Sequence, residues 1–192
     1  FTKNIRRAFS QERLGGSCIV NMCATGETLL YEEVISIMRD ILDNGHYIML
    51  VSNGTLTKRF EACCDFPIEF RKRLFFKLSF HYLELKRINM LDTYFNNIRM
   101  LKEHGISFTV ELTPDDSYIP YIDEIKYICR KNLGTLCHIT VCRDELKHGY
   151  PLMTSLSRDE YKRIWNQFDS DLFSYKWSIF EKKRREFCYA GL

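Results

Sequence analysis

The chain has 192 residues, of which 45% are hydrophobic and 28% are charged, so it can form one domain with a substantial core and is unlike a disordered protein. The net charge of +3 is too small to indicate a nucleic-acid partner, and no apolar stretch is long enough to span a membrane. Eight cysteines without a secretory signal are typical of the reducing cytosol, so we expect a cytoplasmic protein.

Short apolar runs that recur at a regular interval predict five β-strands. Counted from start to start, the runs are 29, 28, 32 and 30 residues apart, which is the length of a strand–helix unit. Strands that are connected by helices in this way lie parallel, in a barrel or in an open sheet. The runs are "SCIVNMC" (17–23), "HYIMLVS" (46–52), "LFFKLSF" (74–80), "ISFTVEL" (106–112) and "LCHITVC" (136–142).

Amphipathic helices are predicted between these strands. Apolar residues follow the 3.6-residue period of a helix within residues 34–42, 95–101 and 122–128. Glycines stand where helices commonly end in a left-handed residue, at Gly45, Gly105 and Gly134.

The polar residues of three strands help to choose between the two architectures. In "KLSFH", "FTVELT" and "HITVC", polar side chains alternate with apolar ones, so each strand has one polar face. A central strand of a doubly wound sheet is covered on both faces and is apolar throughout. The pattern therefore favours an open barrel with a polar cavity. The residues expected to line the cavity are Lys77, His81, Thr109, His138 and Thr140.

The pattern changes beyond Arg143. The segment "HGYPLMTS" is predicted to be a loop, and Ser157 and Glu160 have the spacing of a capping box that begins a helix. A long aromatic and basic helix is expected over residues 171–186. We therefore divide the chain into a partial barrel, residues 1–145, and a helical C-terminal segment, residues 146–192.

Two common kinds of site are not supported by the sequence. Cys18 and Cys23 are five residues apart on one predicted strand and face opposite sides, so they cannot chelate one ion. Ser79 and His81 share a face, but the sharp elbow G-x-S-x-G of serine hydrolases is absent.

Polar residues that follow the strands predict a site at one edge of the sheet. Active sites of βα barrels lie at the carboxyl ends of the strands. The side chains at or beyond these ends include a carboxylate, an amide, an imidazole and a guanidinium. Such a set can bind a zwitterionic small molecule. The residues are Glu27, Asn53, His81, Thr113 and Arg143.

Several motifs, taken in order, resemble radical S-adenosylmethionine (SAM) enzymes over about residues 8–145. "ATGETLL" resembles the glycine–glutamate motif on the family's second strand, although it reads Ala-Thr-Gly-Glu where the family usually has Gly-Gly-Glu-Pro. "VSNGTL" resembles the end of the third strand. "KLSFH", "FTVELTP" and "CHITVCRD" are found where strands four to six belong, and "EFCYAG" resembles the first cysteine segment of SPASM-type auxiliary-cluster extensions.

The resemblance implies a fold and a set of roles. The fold is α/β, a partial (βα)6-type open barrel that lacks its first strand, with five parallel strands alternating with helices and with further C-terminal helices. The glutamate of the motif accepts hydrogen bonds from the methionyl ammonium of SAM, and Glu27 corresponds to it. The implied cofactor-binding residues are Gly26, Glu27, Asn53, Ser79, Glu111 and Arg143, of which Arg143 faces the methionyl carboxylate.

In this family a [4Fe–4S] cluster reduces SAM, and the resulting 5′-deoxyadenosyl radical abstracts hydrogen from the substrate. The cluster ligands form a Cys-x3-Cys-x2-Cys motif after the first strand, and this chain has no such motif. Residues 1–13 correspond to the helix after strand one, so we expect these cysteines upstream of Phe1. The resemblance thus implies the central part of an enzyme truncated at both ends, inactive by itself, with Cys188 as a ligand of an auxiliary cluster.

The partners implied are a small-molecule or peptide substrate and an electron donor such as a flavodoxin or ferredoxin. An alternative remains open on the sequence. The chain can be a non-catalytic βα-barrel module that binds a small polar metabolite or a protein partner through its aromatic C-terminal helix.

Overall fold

The computed structural model describes residues 2–180 and residue 182. It contains five strands, which together form one sheet in chain order, β1-β2-β3-β4-β5. Within the described residues the sheet is open, and the predicted α/β fold of five strands alternating with helices is confirmed. The strands are β1 (Ile19–Met22), β2 (Tyr47–Ser52), β3 (Leu74–Ser79), β4 (Ser107–Leu112) and β5 (His138–Ile139).

In the part of the chain that the structure describes, ten α-helices accompany the strands: α1 (Thr2–Ala8), α2 (Gln11–Leu14), α3 (Glu33–Asp43), α4 (Thr57–Cys64), α5 (Ile68–Arg71), α6 (Tyr82–Arg87), α7 (Leu91–Glu103), α8 (Ile122–Leu133), α9 (Arg158–Trp165) and α10 (Asp171–Ile179). Two 3₁₀ helices, Asp116–Tyr121 and Asn166–Phe168, complete the described secondary structure. None of the helices in the described part of the chain combines the length and the apolar character needed to cross a membrane.

The chain forms two compact units, residues 1–112 and residues 113–192. The sequence predicted a different boundary, after residue 145, between a partial barrel and a helical C-terminal segment. That boundary marks the limit of a family domain and stays a prediction. In the first unit, β1 to β4 are parallel and in a continuous register, in which Asn21 lies beside Met49, Met49 beside Phe75, and Phe75 beside Ser107.

The register places alternate residues of the first unit on two different faces of the sheet. On one face, Leu50, Phe76 and Leu78 are completely or almost completely buried beneath the helices. On the other face, Lys77, Ser79 and Glu111 are only partly buried. The apolar face forms the core, because burial of large apolar side chains is the main favourable term in folding.

The N-terminal residues are helical, but they form two helices where the sequence suggested one. The chain leaves the helical conformation at Phe9 and Ser10, and Ser10 accepts a hydrogen bond from the backbone of Arg13 to begin α2. The side chain of Asn44 donates hydrogen bonds to the carbonyls of Arg6 and Phe9, which attaches this segment to the end of α3.

The fifth strand is shorter than predicted, because its neighbours bind other partners. The expected strand covered residues 136–142, whereas β5 has two residues. The amide of Cys142 donates to the hydroxyl of Tyr161 instead of to a neighbouring strand, and the carbonyl of Cys142 accepts from the amide of Met153. Side-chain and loop hydrogen bonds thus replace the strand ladder over these residues.

The second unit has an aromatic core on its last helices. Tyr161, Trp165 and Phe173 are buried, and Trp177 stacks on Tyr161 with ring centroids 6.0 Å apart. The predicted capping box is present, with Ser157 and Glu160 bonded reciprocally. The helix predicted over residues 171–186 is described only to Ile179, and Phe180 is extended; residues 183–192, including Cys188, lie outside the described part.

Phe76 and Phe75 form a matched pair for testing which face of β3 forms the core. Phe76 is completely buried, and its ring centroid lies 5.1 Å from that of Phe60, whereas Phe75 is half-buried on the opposite face. We expect Phe76→Ala to lower the free energy of unfolding by about 3–5 kcal/mol, as for other buried phenylalanines. Phe75→Ala should cost clearly less in the same urea denaturation experiment, and equal losses would contradict the assignment of faces.

Asp116 predicts a pH dependence for the second unit. Burial raises the pKa of its carboxyl, but hydrogen bonds from the hydroxyl of Thr154 and from the amide and hydroxyl of Ser155 outweigh it and hold the pKa below its ordinary value. A lowered pKa in the folded state stabilises the protein above the pKa of the unfolded carboxyl, and this contribution is lost as the pH falls through the folded pKa.

We therefore expect Asp116→Asn to lower the free energy of unfolding at pH 7 by about 1 kcal/mol, because the carboxyl is partly solvated. The difference from the wild type should shrink below a pH of about 4. Asp169→Asn is the control, since Asp169 is exposed at φ +49°, a conformation that asparagine tolerates. A deficit that persists unchanged at low pH would contradict the role of the ionised carboxylate.

Candidate functional site

The turn after β1 brings Glu27 to the end of β2. Gly26 has φ +96°, which glycine adopts without strain, and the turn leads directly into Glu27. Oε1 of Glu27 accepts hydrogen bonds from the amide of Leu29 at 3.0 Å and the hydroxyl of Ser52 at 2.8 Å. Oε2 accepts one from the amide of Asn53 at 2.7 Å. The carboxylate therefore connects two neighbouring strand ends.

The hydrogen bonds of Glu27 leave room for one more donor. An ionised carboxylate has about four acceptor positions, two on each oxygen. Oε1 uses two and Oε2 uses one. The remaining position, on Oε2, can accept a hydrogen bond from a ligand such as an ammonium group. Because the carboxylate is half-buried, such a bond would be partly protected from water.

Asn53 has a more limited role than its position suggested. Its Oδ1 accepts from both the amide and the hydroxyl of Thr55, at 3.0 and 2.7 Å, and so forms an Asx turn at the start of the loop after β2. The oxygen of the side chain is thus engaged within the protein. A ligand can be contacted through the side-chain NH₂ group.

Gly54 is the point where this loop packs against α7. It has φ +76°, and a Cβ at this position would lie 2.5 Å from the ring of Tyr94. The buried side chain of Asn97 donates to the carbonyl of Gly54 at 2.9 Å. The loop therefore requires glycine for two reasons, its conformation and the close approach of an aromatic ring.

A charged pair lies on the polar face of the sheet in the first unit. Ser79 is in register with Glu111, and Lys77 is in register with Thr109. The ammonium of Lys77 lies 3.0 Å from Oε2 of Glu111, an ion pair without hydrogen-bond geometry, and within the described residues that oxygen is buried and accepts no hydrogen bond. Oε2 of Glu111 is thus enclosed by the protein and faces the Lys77 ammonium.

The second unit contains a cavity of about 660 Å³. Thr140 lines it and is only 8% exposed, and no hydrogen bond to its hydroxyl is found within the described residues. Arg143 also lines the cavity, and its guanidinium lies over the ring of Phe180, 5.6 Å from the centroid. The remaining lining residues are Thr113, Val141, Cys142, Glu145 and Tyr150.

The wall of this cavity is electronegative around Cys142. Burial raises the pKa of the Cys142 thiol, and the carboxylates of four neighbours raise it further. Cys142 is therefore a neutral thiol at neutral pH and is not an activated nucleophile. The four carboxylates belong to Asp115, Asp116, Asp144 and Glu145.

The remaining predicted residues lie in different surroundings. His81 is exposed at the start of α6 and makes no capping bond with its side chain, and Thr109 is half-buried on the polar face of β4. His138 is exposed on β5 and is not among the residues that line the cavity. Among the residues that the structure describes, no three His, Cys, Asp or Glu side chains are close enough to hold a metal ion.

Four residues that support Glu27 or line the cavity were not predicted from the sequence: Ser52, Asn97, Glu145 and Tyr150. Ser52 was interpreted only as a strand residue. Asn97 does carry a signal, since an amide stands on the face of α7 that is otherwise apolar. Tyr150 has φ +49°, an uncommon conformation for an aromatic residue, and nothing in the sequence alone indicates it.

Comparison with solved structures identifies proteins with the same architecture. SuiB from Streptococcus suis superposes with a TM-score of 0.58 at 16% identity, and the match covers 98% of this chain and 44% of SuiB. For SuiB bound to S-adenosylmethionine the TM-score is 0.58 at 16% identity, and the match covers 91% of this chain and 41% of SuiB. For anSMEcpe with bound AdoMet (S-adenosylmethionine) and the Kp18Cys peptide, the TM-score is 0.57 at 12% identity, and the match covers 93% of this chain and 51% of anSMEcpe. The chain has the fold of these SAM-binding proteins.

The likeness concerns the fold, since the identities are low. The chain spans less than half of the length of SuiB. No protein-family model matches the sequence, and no curated protein matches it significantly.

Gly54 and Gly105 provide a matched test of the packing behind the site. Both have a left-handed φ, +76° and +68°, but a Cβ on Gly105 would meet open space. We expect Gly105→Ala to cost about 1 kcal/mol of stability from backbone strain alone. Gly54→Ala should cost about 1–3 kcal/mol more, because it also overpacks against Tyr94. Equal losses in thermal or urea unfolding would show that Tyr94 does not constrain the loop.

Proposed function

We propose that this chain is the central part of a radical SAM enzyme and that it binds SAM through Glu27. The observation that carries the proposal is the carboxylate at the end of β1, whose hydrogen bonds to Leu29, Ser52 and Asn53 leave one acceptor position on Oε2. The methionyl ammonium of SAM matches that position in charge and in donor character. The resemblance of the strand-end motifs and the fold of SAM-bound SuiB support the same conclusion.

The other polar groups of the first unit suit the remaining parts of SAM. We assign Glu111 and Ser79, which are in register on β4 and β3, to the ribose of SAM. The NH₂ group of Asn53 is available to a ribose or carboxylate oxygen, and the amide of Gly26 lies in the turn that precedes Glu27. In the second unit, Arg143 is the guanidinium that we assign to the methionyl carboxylate.

A reduced [4Fe–4S] cluster would supply the electron that cleaves SAM for hydrogen abstraction from the substrate. The described residues do not fit such a cluster, because they contain no group of three suitable ligands and the sequence has no Cys-x3-Cys-x2-Cys motif. We propose that the cluster ligands precede residue 1 in the parent protein and that a flavodoxin or ferredoxin is the electron donor. Cys188 is proposed as a ligand of an auxiliary cluster.

The proposed substrate is polar and includes peptides. The side chains available to it are those predicted to line the polar interior, of which Thr140 lines the observed cavity. SuiB has been solved bound to its precursor peptide SuiA, and anSMEcpe with the Kp18Cys peptide. A peptide is therefore the first substrate class to examine. The other proposed substrate contacts are Lys77, His81, Thr109 and His138.

A second candidate function is a non-catalytic module that binds a small polar metabolite. It is favoured by the cavity of about 660 Å³ in the second unit, whose Arg143 and Glu145 offer charges of both signs without involving Glu27. Under this alternative, changes at Glu27 leave the affinity for SAM unchanged, because the turn after β1 has no ligand.

Glu27→Gln tests the proposal directly. The variant keeps the size of the side chain but removes the charge and replaces one oxygen by a donor, so we expect the dissociation constant for SAM to rise by about ten- to a hundredfold. The measurement is calorimetric titration of the 192-residue chain with SAM, with unfolding curves recorded for each variant.

Glu33→Gln provides the matched control, since Glu33 is an exposed acid at the start of α3. It should bind SAM as the wild type does. Equal affinities for the wild type and Glu27→Gln would overturn the proposed role of Glu27 and favour the second candidate function.

A further inference from the structure

A chain of hydrogen bonds connects Glu27 to the interior of α7. The side-chain amide of Asn97 donates to the carbonyl of Gly54 at 2.9 Å, and the backbone amide of Gly54 donates to the hydroxyl oxygen of Ser52 at 3.1 Å. The Ser52 hydroxyl then donates to Oε1 of Glu27 at 2.8 Å. Asn97 is completely buried and Ser52 is 2% exposed, so the connection is shielded from water.

The chain of bonds has a single direction. A serine hydroxyl has one proton, and an ionised carboxylate can only accept. Because Ser52 accepts from Gly54, its proton is directed to Glu27, where it occupies Oε1 together with the amide of Leu29. The open acceptor position is thereby confined to Oε2.

Burying the side chain of Asn97 costs free energy, because one of its polar atoms has no hydrogen-bond partner in the part of the chain that the structure describes. Its Oδ1 is buried and accepts no hydrogen bond within the described residues. Turning the amide over would place Oδ1 against the carbonyl of Gly54, so the observed orientation is fixed. The same face of α7 carries buried Tyr94, Ile98 and Leu101, so the amide of Asn97 is explained by its bond to the Gly54 carbonyl and not by packing. Natural proteins keep such an unpartnered buried atom mainly at functional sites, which suggests that Asn97 serves the site and not only stability.

We propose that Ser52 and Asn97 are positioning residues that hold the Glu27 carboxylate with one acceptor open on Oε2, and so make the site selective for a nucleoside that carries a protonated amine. This inference relies on the proposed SAM function, and it assigns the source of its selectivity. Neither residue contacts the ligand. Asn97 holds the carbonyl of Gly54, and Ser52 donates its hydroxyl proton to Oε1 of Glu27.

The test compares two ligands that share a nucleoside. SAM carries the methionyl ammonium, whereas 5′-methylthioadenosine has the same adenosine and sulfur but no amino-acid group. If Ser52 and Asn97 position the carboxylate, then Ser52→Ala and Asn97→Leu should weaken SAM binding by about five- to tenfold and leave 5′-methylthioadenosine binding nearly unchanged. A purely structural role would weaken the binding of both ligands equally.

Two substitutions serve as matched controls. Ser36→Ala removes a serine hydroxyl that bonds to the carbonyl of Glu33 on the exposed side of α3, and Asn96→Leu changes the exposed residue next to Asn97. Both should retain the wild-type ratio of the two dissociation constants. If Asn97→Leu does not fold, Ser52→Ala by itself decides the outcome, because it removes the bond to Glu27 directly.

The possible results are distinct. A loss of preference for SAM in Ser52→Ala, with controls unchanged, supports the inference. A wild type that prefers SAM together with a Ser52→Ala variant that keeps the full preference would overturn the inference and leave the proposed function in place. A wild type that binds SAM no better than 5′-methylthioadenosine would overturn both.

Discussion

The interaction on which the candidate site depends is the set of hydrogen bonds at the Glu27 carboxylate. The carboxyl end of a parallel sheet exposes polar groups of each strand and of the following loop, and these groups need partners. Glu27 satisfies the amides of Leu29 and Asn53 and the hydroxyl of Ser52 at once. One anionic group therefore shapes the turn after β1 and the loop after β2, and it leaves a single acceptor position for a ligand. An acid suits the position better than an amide, because both of its oxygens accept hydrogen bonds whereas an amide would present a donor in place of one of them.

The packing behind these strands makes that arrangement rigid. Phe80, Tyr94 and Phe95 form a cluster with ring centroids 5.3 to 5.6 Å apart, and Tyr94 lies directly against Gly54. The loop after β2 is thus supported by an aromatic layer on one side and by the carboxylate on the other. A rigid carboxylate binds an ammonium group more selectively than a mobile one, because less conformational freedom is lost on binding.

Much of the fold could be predicted from the sequence, and less of the site. The regular interval and alternating pattern located β1 to β4 within one or two residues, because their apolar residues face a single core. The same reasoning overestimated β5, where Tyr161 and Met153 replace the strand ladder, and such long-range partners leave no periodic signal. Position after a strand indicated Glu27 and Asn53 as site residues, but it could not show that Asn53 is engaged by Thr55. Asn97 could have been noticed as an amide on an apolar helix face, although its partner, the carbonyl of Gly54, depends on tertiary structure.

The most direct measurement of the central claim is an experimental structure of the chain with SAM. The account predicts that the methionyl ammonium lies within hydrogen-bond distance of Oε2 of Glu27, while Oε1 keeps its bonds to Ser52 and Leu29. A structure in which SAM occupies another part of the molecule, or in which Glu27 turns away and its bonds to Ser52 and Asn53 are broken, would contradict the account.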